Sequence, residues 1–247
     1  MKKSLKKIVL ISLGCFVLTG CGLGSKEEQE TQPPVEEVVE DVVEDVPEVD
    51  VEEPKVEVIP IDIKYWQTVN EDIYAWISIE DTNVSYPILQ HPTDNAYYLD
   101  HTVDHVAGLP GSIYTENRNT KDFTDFNTLI YGHNMKDGSM FKHLHKFRDK
   151  EFFDTHDTVM VYTEDHSLTY KIYAAVVYNN DHILIKYDNA SVEDRQAFIQ
   201  SLHDIKSSTK LFREDMMIDE NSKLITMSTC TGDSNTRLLV IAALMEK

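Results

Sequence analysis

Hydrophobic positions along most of the chain recur with the two-residue period of β-strands. Between residues 168 and 179, Tyr170, Ile172, Ala174 and Val176 form one alternating set, which predicts that they share one face of a strand. Turn residues separate further short runs of β-forming residues. These runs predict strands at 82–89, 111–115, 128–131, 158–163, 223–228 and 238–244.

Two segments show helical spacing instead. Apolar residues from Ile63 to Ile77 recur mostly every three or four positions, which predicts an amphipathic helix at 62–77. Ser191 as N-cap and Asp194 as an acidic third helical residue predict a second helix at 192–205. Many short strands with two helices indicate a mainly β fold. We therefore expect residues 61–247 to form one domain built on a mostly antiparallel barrel.

The first 20 residues have the pattern of an export signal. Four lysines precede an apolar run at 8–18, which is short for a helix that crosses a membrane. The run ends in Leu18-Thr19-Gly20-Cys21, which resembles the bacterial lipobox, whose cysteine is lipid-modified and becomes the mature N-terminus. An uncleaved signal anchor with an incidental cysteine is the alternative. Both interpretations place the rest of the chain at the extracellular face of the cell membrane, tied to it.

The segment at 21–60 is acidic, contains no aromatic residue and is interrupted by prolines, so it lacks the apolar surface needed to fold. We interpret it as a solvated tether. Its valines at helical spacing leave a partner-binding helix open as the alternative. The whole chain carries a formal net charge of −20. Because binding to a phosphate backbone requires a basic surface, this charge disfavours a nucleic-acid partner.

Cys230 is the main candidate for a reactive group. The chain has three cysteines, too few for a disulfide-stapled scaffold or a four-cysteine zinc site. If Cys15 leaves with the signal and Cys21 is lipidated, Cys230 is the one free thiol, and an odd cysteine in an exported chain is a candidate nucleophile. Its position between a strand and the turn-forming segment 231–235 supports this interpretation. A small buried hydrophobic residue is the alternative.

A nucleophilic thiol needs a proton acceptor and benefits from a nearby cation. His133 follows a strand-like run at 128–131, which would place it at a strand end, although a structural histidine is equally compatible with this position. If 231–236 is a hairpin loop, Arg237 returns beside Cys230 and could stabilise an oxyanion; an ordinary surface arginine is the alternative. His143 and His145 have no nearby cysteine or carboxylate that would complete a metal site.

These residues together resemble the sortases. The resemblance rests on Leu-Ile-Tyr-Gly-His-Asn-Met at 129–135, Ser-Thr-Cys at 228–230 and Arg237, in that order. The tracts at 122–127 and 136–141 resemble class B in particular. Each motif alone would be a weak indication, but their combination in this order is specific.

The resemblance extends over residues 65–244 and shows three departures. Met227 stands where the family usually has leucine, which is a swap of similar volume. The segment between Cys230 and Arg237 is short for class B, and this affects the wall of the substrate groove. The lipobox-like motif is unusual, because sortases more often keep an uncleaved anchor.

The resemblance implies a closed eight-stranded barrel with an N-terminal helix and a helix between late strands. It also implies a cysteine transpeptidase with Cys230 as nucleophile, His133 as general acid and base, and Arg237 at the oxyanion. The implied substrates are secreted proteins with a C-terminal sorting signal, and the implied acceptor is an amine of a peptidoglycan precursor. No metal or other cofactor is required. A thiol hydrolase of the same fold and a non-catalytic, ligand-binding surface lipoprotein are the alternatives.

Overall fold

Strands make up most of the ordered framework. The computed structural model describes residues 59–245, so Cys15, Cys21, the predicted signal at 1–20 and nearly all of the predicted tether at 21–60 lie outside them. In the described residues the strands are β1 Ile73–Ser78, β2 Ser85–Leu89, β3 Ile113–Thr115, β4 Asn127–Tyr131, β5 Thr158–Tyr162, β6 Ser167–Asn179, β7 Lys210–Phe212, β8 Leu224–Cys230 and β9 Thr236–Leu244.

Short helices connect these strands. The α-helices are α1 Ile63–Gln67, α2 Lys150–Thr155, α3 Ile183–Lys186 and α4 Val192–His203, and 3₁₀ helices span Tyr97–Leu99 and Phe141–Arg148. None of the helices between residues 59 and 245 has the length and apolar character needed to cross a bilayer.

Eight strands close into a barrel. The strand order is β1-β2-β3-β4-β8-β9-β6-β5, and β5 pairs back onto β1. The β2–β3 and β4–β8 pairs are parallel, and the others in the ring are antiparallel. The short strand β7 joins β6 outside the ring. The prediction of a mainly β fold with a closed, mostly antiparallel eight-stranded barrel is therefore confirmed.

A β-bulge in β6 changes which residues face the interior. The pairing of β6 with β9 shifts register between Ile172 and Ala174. Tyr170 and Ile172 pack inside the barrel, whereas Ala174 and Val176 belong to a second cluster on its outer face. An extra residue at a bulge moves the following side chains to the opposite face. The prediction that these four residues share one face was therefore wrong beyond Ile172.

The outer cluster is covered by α4, which begins where the sequence predicted. Ser191 Oγ accepts a hydrogen bond from the Asp194 backbone N–H at 3.1 Å and so caps the helix. Phe198 and Leu202 are fully buried against the outer face of the sheet. Burial of each such side chain contributes about 1.5–3 kcal/mol. The helix ends at His203, two residues before the predicted end.

The helix predicted at 62–77 was wrong in its second half. Helix α1 ends at Gln67, and β1 then occupies Ile73–Ser78. Thr68 caps the helix, and its N–H donates to the Tyr65 carbonyl at 3.0 Å. Asn70 then fixes the turn into β1, because its side chain accepts from the Asp72 backbone N–H and donates to the Tyr98 hydroxyl. Spacings of three and four residues also occur by chance in a strand that is buried on both faces, as β1 is from Ile73 to Ala75.

Candidate active site

Three neighbouring strands bring the predicted site residues to one end of the barrel. Strands β4 and β8 are parallel, with Tyr131 opposite Ser228, and the Gly132 N–H donates to the Ser228 carbonyl at 3.2 Å. Strand β9 runs antiparallel to β8 and places Arg237 directly opposite Cys230. The residues that follow β4 therefore lie beside the end of β8 and the start of β9. Strands β8 and β9 thus form a hairpin whose connection is residues 231–235, which meets the condition under which Arg237 was expected beside Cys230.

A single cavity of about 290 Å³ is lined by His133, Cys230 and Arg237. The structure therefore brings together all three residues that the sequence singled out. Tyr114 and Tyr131, whose rings are stacked with centroids 5.2 Å apart, also line this cavity. An apolar wall with a few convergent polar groups is typical of a site that binds a substrate segment.

Cys230 is exposed, and it is the one cysteine among residues 59–245. Its exposure excludes the alternative of a buried hydrophobic residue. Its backbone carbonyl accepts hydrogen bonds from Asn134 Nδ2 at 2.8 Å and from His145 Nε2 at 3.0 Å. The thiol therefore stands on a backbone that is fixed by two side chains and is accessible from the cavity.

His133 is held in one orientation by a main-chain acceptor. Its Nε2 lies 2.7 Å from the Leu99 carbonyl, at the end of the 3₁₀ helix Tyr97–Leu99. A carbonyl oxygen can only accept, so Nε2 carries a proton in this arrangement. In the neutral ring, Nδ1 is then the nitrogen that can take up a further proton. The hydrogen bond to Leu99 thus leaves Nδ1 as the ring nitrogen that is not engaged.

Arg237 keeps part of its donor capacity free. Its Nη1 donates to the Thr236 carbonyl at 2.9 Å and the Ser234 carbonyl at 3.2 Å. No carboxylate in the described part of the chain forms an ion pair with it. The bonds to Nη1 orient the planar guanidinium, and its other N–H groups can donate to a substrate oxygen.

Gly132 makes the close packing beneath this end of the barrel possible. A Cβ atom at this position would lie 2.4 Å from Ile113 Cδ1 and 2.7 Å from the Phe141 ring. Both neighbours are fully buried, so neither can move away without disturbing the core. The glycine therefore lets the chain turn from β4 into His133 directly over the barrel interior.

A buried carboxylate lies on the far wall of the cavity. Glu116 accepts from the Tyr131 hydroxyl at 2.9 Å, pairs with His182 Nε2 at 2.8 Å and lies 3.4 Å from Arg118 Nε. Burial, followed by the nearby Glu116 charge, raises the pKa of Tyr131 above its ordinary value. Tyr131 therefore stays protonated and donates its hydrogen to Glu116.

Several contacts at the site were not predicted from the sequence, although Asn134 and His145 themselves were noted there. The main-chain carbonyl of Leu99 accepts from His133, and the side chains of Asn134 and His145 donate to the main-chain carbonyl of Cys230. The pair Glu116–His182 joins loops that are distant in sequence. None of these contacts leaves a spacing signal, although the Asn that follows His133 belongs to the motif at 129–135. His143 and His145, which were considered for metal, have separate contacts. His143 Nδ1 accepts from the Asn83 N–H at 2.9 Å.

Comparison with known proteins agrees with this geometry. The Sortase domain family model matches residues 77–245. Sortase B of Listeria monocytogenes is 30% identical over 232 residues, which cover 93% of this chain and 91% of that protein. The crystal structure of sortase B from Bacillus anthracis has a TM-score of 0.65 and 31% identity, covering 75% of this chain and 84% of that one. The Clostridium perfringens sortase B structure has a TM-score of 0.65 and 28% identity, covering 74% and 99%.

The chain therefore belongs to the sortase family, whose members are cysteine transpeptidases. Its relatives are class B sortases, as the motifs in the sequence predicted. The alternative of a non-catalytic binding lipoprotein is thereby replaced by an enzyme.

Proposed function

We propose that this sortase cleaves a C-terminal sorting signal of secreted proteins and joins the new C-terminus to an amine of a peptidoglycan precursor. The observation that carries this proposal is the single cavity shared by His133, Cys230 and Arg237, on three adjacent strands. The cavity brings together a thiol, an imidazole and a guanidinium, which are the groups that the proposed reaction needs.

In the first half-reaction, Cys230 attacks a backbone carbonyl of the sorting signal. Its thiol proton passes to His133 Nδ1, because Nε2 is engaged by Leu99. The new S–C bond places negative charge on the substrate oxygen, and the free N–H groups of Arg237 stabilise that charge. His133 then protonates the departing amine as the C–N bond breaks. A thioacyl enzyme remains.

In the second half-reaction, an amine from the wall precursor attacks the thioacyl carbon. His133 takes the proton of that amine, a new amide bond forms, and the C–S bond breaks to release Cys230. The same three residues serve both halves in reverse order, as microscopic reversibility requires. Attack by water instead of the amine would give hydrolysis.

Mass spectrometry of the full-length protein incubated with a library of sorting-type peptides tests this proposal. We expect a thioacyl adduct on Cys230, whose mass identifies the cleaved motif. Adding a short amine that mimics a wall peptide should convert the adduct into an amide-linked product. A hydrolysed peptide as the sole product, with amine present, would favour the hydrolase. An absence of any adduct across the library would contradict the transpeptidase mechanism for this chain.

We also propose that a lipid on Cys21 holds the enzyme at the extracellular face of the cell membrane. The support is the basic flank, the apolar run at 8–18 and the motif ending in Cys21. Two acyl chains hold a protein firmly, since each buried CH₂ contributes about 0.8 kcal/mol. The acidic segment at 21–60 would then let the catalytic domain reach into the wall.

The intact mass of the protein extracted from membranes tests the anchor. We expect a lipidated chain that begins at Cys21, and we expect Cys21→Ala to abolish this form. Cys15→Ala is the matched control, because Cys15 lies within the signal and its loss should leave the processed mass unchanged. A wild-type mass that corresponds to a chain beginning at residue 1 would show an uncleaved signal anchor instead.

A further inference from the structure

Cys230 is the last residue of β8, and its backbone extends past the end of the neighbouring strand β4. The Ser228 carbonyl points toward β4 and accepts from the Gly132 N–H at 3.2 Å. Carbonyls two residues apart in a strand point to the same edge, so the Cys230 carbonyl also points toward β4. Strand β4 has already ended at Tyr131. Within residues 59–245, no strand is therefore available to pair with the carbonyl of Cys230.

Two side chains replace the missing strand. Asn134 Nδ2 donates to the Cys230 carbonyl at 2.8 Å, and His145 Nε2 donates to the same oxygen at 3.0 Å. Since the acceptor is a carbonyl, both nitrogens must carry hydrogen. Both lone pairs of this oxygen are thus used, and the peptide plane that follows Cys230 is held from two directions.

Both donors are themselves rigidly placed. Asn134 forms an isolated antiparallel bridge with Met140, and the Phe141 N–H donates to the His133 carbonyl at 2.9 Å. His145 lies on the 3₁₀ helix Phe141–Arg148, whose Phe141, Leu144 and Phe147 are buried inside the barrel. The two donors are therefore fixed by the fold and do not depend on an exposed, flexible loop.

The amide of Asn134 is only half satisfied, which folding alone does not explain. Its Oδ1 is buried and has no hydrogen-bond partner among residues 59–245. Leaving a buried acceptor unpaired costs about 1–3 kcal/mol. Such a group in a native protein calls for a specific reason, and here the amide's one hydrogen bond is made to the nucleophile.

We propose that Asn134 and His145 are positioning residues that fix the peptide of Cys230 and thereby aim its sulfur at the scissile carbonyl. This inference rests on the proposed role of Cys230. Holding the carbonyl fixes ψ of Cys230 and with it the direction of the Cα–Cβ bond. Because Asn134 directly follows His133, one segment sets the positions of both the nucleophile and the imidazole.

His145 provides its hydrogen bond without a charge. Burial lowers the pKa of His145. The hydrogen bond to the Cys230 carbonyl opposes this in part, and the neighbouring Lys142 and Arg148 lower the pKa further, so the net direction is downward. The ring is therefore neutral near pH 7 and donates through Nε2 alone. A lysine or arginine at this place would instead add a cation beside the thiol and change its ionisation.

The test compares rates of thioacyl formation in full-length variants, with a peptide selected from the sorting-type library. We expect Asn134→Ala and His145→Ala each to slow acylation about 10- to 100-fold, because small misplacements of reacting atoms have effects of this size. KM should stay near its wild-type value. Asn134→Asp keeps the side-chain shape but places a carboxylate oxygen next to the Cys230 carbonyl oxygen, and neither can donate a hydrogen bond. This variant should therefore be at least as slow as Asn134→Ala.

Conservative rescue and a matched control separate positioning from general damage. His145→Gln retains an N–H donor of similar reach and should recover most of the rate lost in His145→Ala. The matched control is His143→Gln. His143 lies on the same 3₁₀ helix but does not contact Cys230, so this variant should form the thioacyl adduct at the wild-type rate. If His145→Ala fails to fold, the pair Asn134→Asp and Asn134→Ala, with unfolding midpoints measured beside the rates, decides the question.

Alkylation by iodoacetamide reports the thiol itself. We expect the positioning variants to be alkylated as fast as wild type, since this reaction needs an ionised and accessible sulfur but no alignment. A parallel loss of alkylation would overturn positioning in favour of an effect on ionisation. Wild-type acylation rates in both alanine variants would overturn this inference alone. Absence of an adduct in wild type would overturn the proposed function and this inference with it.

Discussion

Replacing Cys230 with alanine is expected to reduce thioacyl formation and transpeptidation by a factor on the order of 10⁴ or more. Among the described residues that line the cavity, Cys230 carries the only sulfur atom, so it alone can form the proposed thioacyl intermediate, and removing a nucleophile from a comparable catalytic unit has effects of at least this size. The remaining groups, His133 and Arg237, can bind and polarise a peptide but offer no attacking sulfur.

The same substitution should barely change stability. Cys230 is exposed at a strand end, so truncating its side chain creates no cavity in the core. Surface changes of this kind usually shift the free energy of unfolding by less than about 0.5 kcal/mol. Equal unfolding midpoints for Cys230→Ala and wild type, measured beside the loss of activity, would assign the effect to chemistry. A thioacyl adduct that survives on another residue of Cys230→Ala would refute the assignment.

Replacing Arg237 with lysine is expected to lower the rate of acylation about 10²-fold, and replacing it with alanine about 10³-fold, as when one donor to an oxyanion is removed. The reason is geometric. Nη1 is committed to the carbonyls of Ser234 and Thr236, and the planar fork then directs the remaining N–H groups in a fixed direction. A lysine ammonium is a compact charge on a flexible stem. It cannot be oriented by the Ser234 and Thr236 carbonyls and at the same time direct donors to the substrate oxygen.

A further variant distinguishes charge from geometry at this position. Arg237→Gln retains a planar donor without a charge, whereas Arg237→Lys retains the charge without the plane. If the oxyanion is held by oriented donors, both variants should be slow, and the loss should appear mainly in kcat for acylation. Near-normal turnover of Arg237→Lys would mean that Arg237 contributes only charge.

Much of the barrel was predictable because local patterns and tertiary burial agree there. Strands β2 to β6, β8 and β9 and helix α4 lie close to their predicted positions, since each has a period or a cap that its packing uses. The two main misses have tertiary causes. Asn70 fixes the turn between α1 and β1 through contacts with Asp72 and Tyr98, and the bulge in β6 turns Ala174 outward.

The site was predictable in part for similar reasons. A short hairpin brings Arg237 opposite Cys230, and a spacing of seven residues indicates this directly. The approach of His133 to Cys230 was suggested by the family resemblance alone. It depends on the parallel pairing of β4 with β8, which no local pattern shows. The contacts of Leu99, Asn134 and His145 involve main-chain oxygens, which are the same for every residue type. Sequence patterns therefore cannot reveal them.

The parallel pairing of β4 and β8 has a consequence for when this enzyme becomes active during folding. Sulfur and guanidinium share one hairpin, which can form from local contacts, whereas the imidazole arrives with a strand distant in the chain. A chain in which the hairpin had formed but β4 had not docked would hold a thiol with no proton acceptor beside it and no side chain bonded to its carbonyl. On the proposed mechanism, acylation therefore requires the closed ring of strands, and a chain without it would not react with peptides.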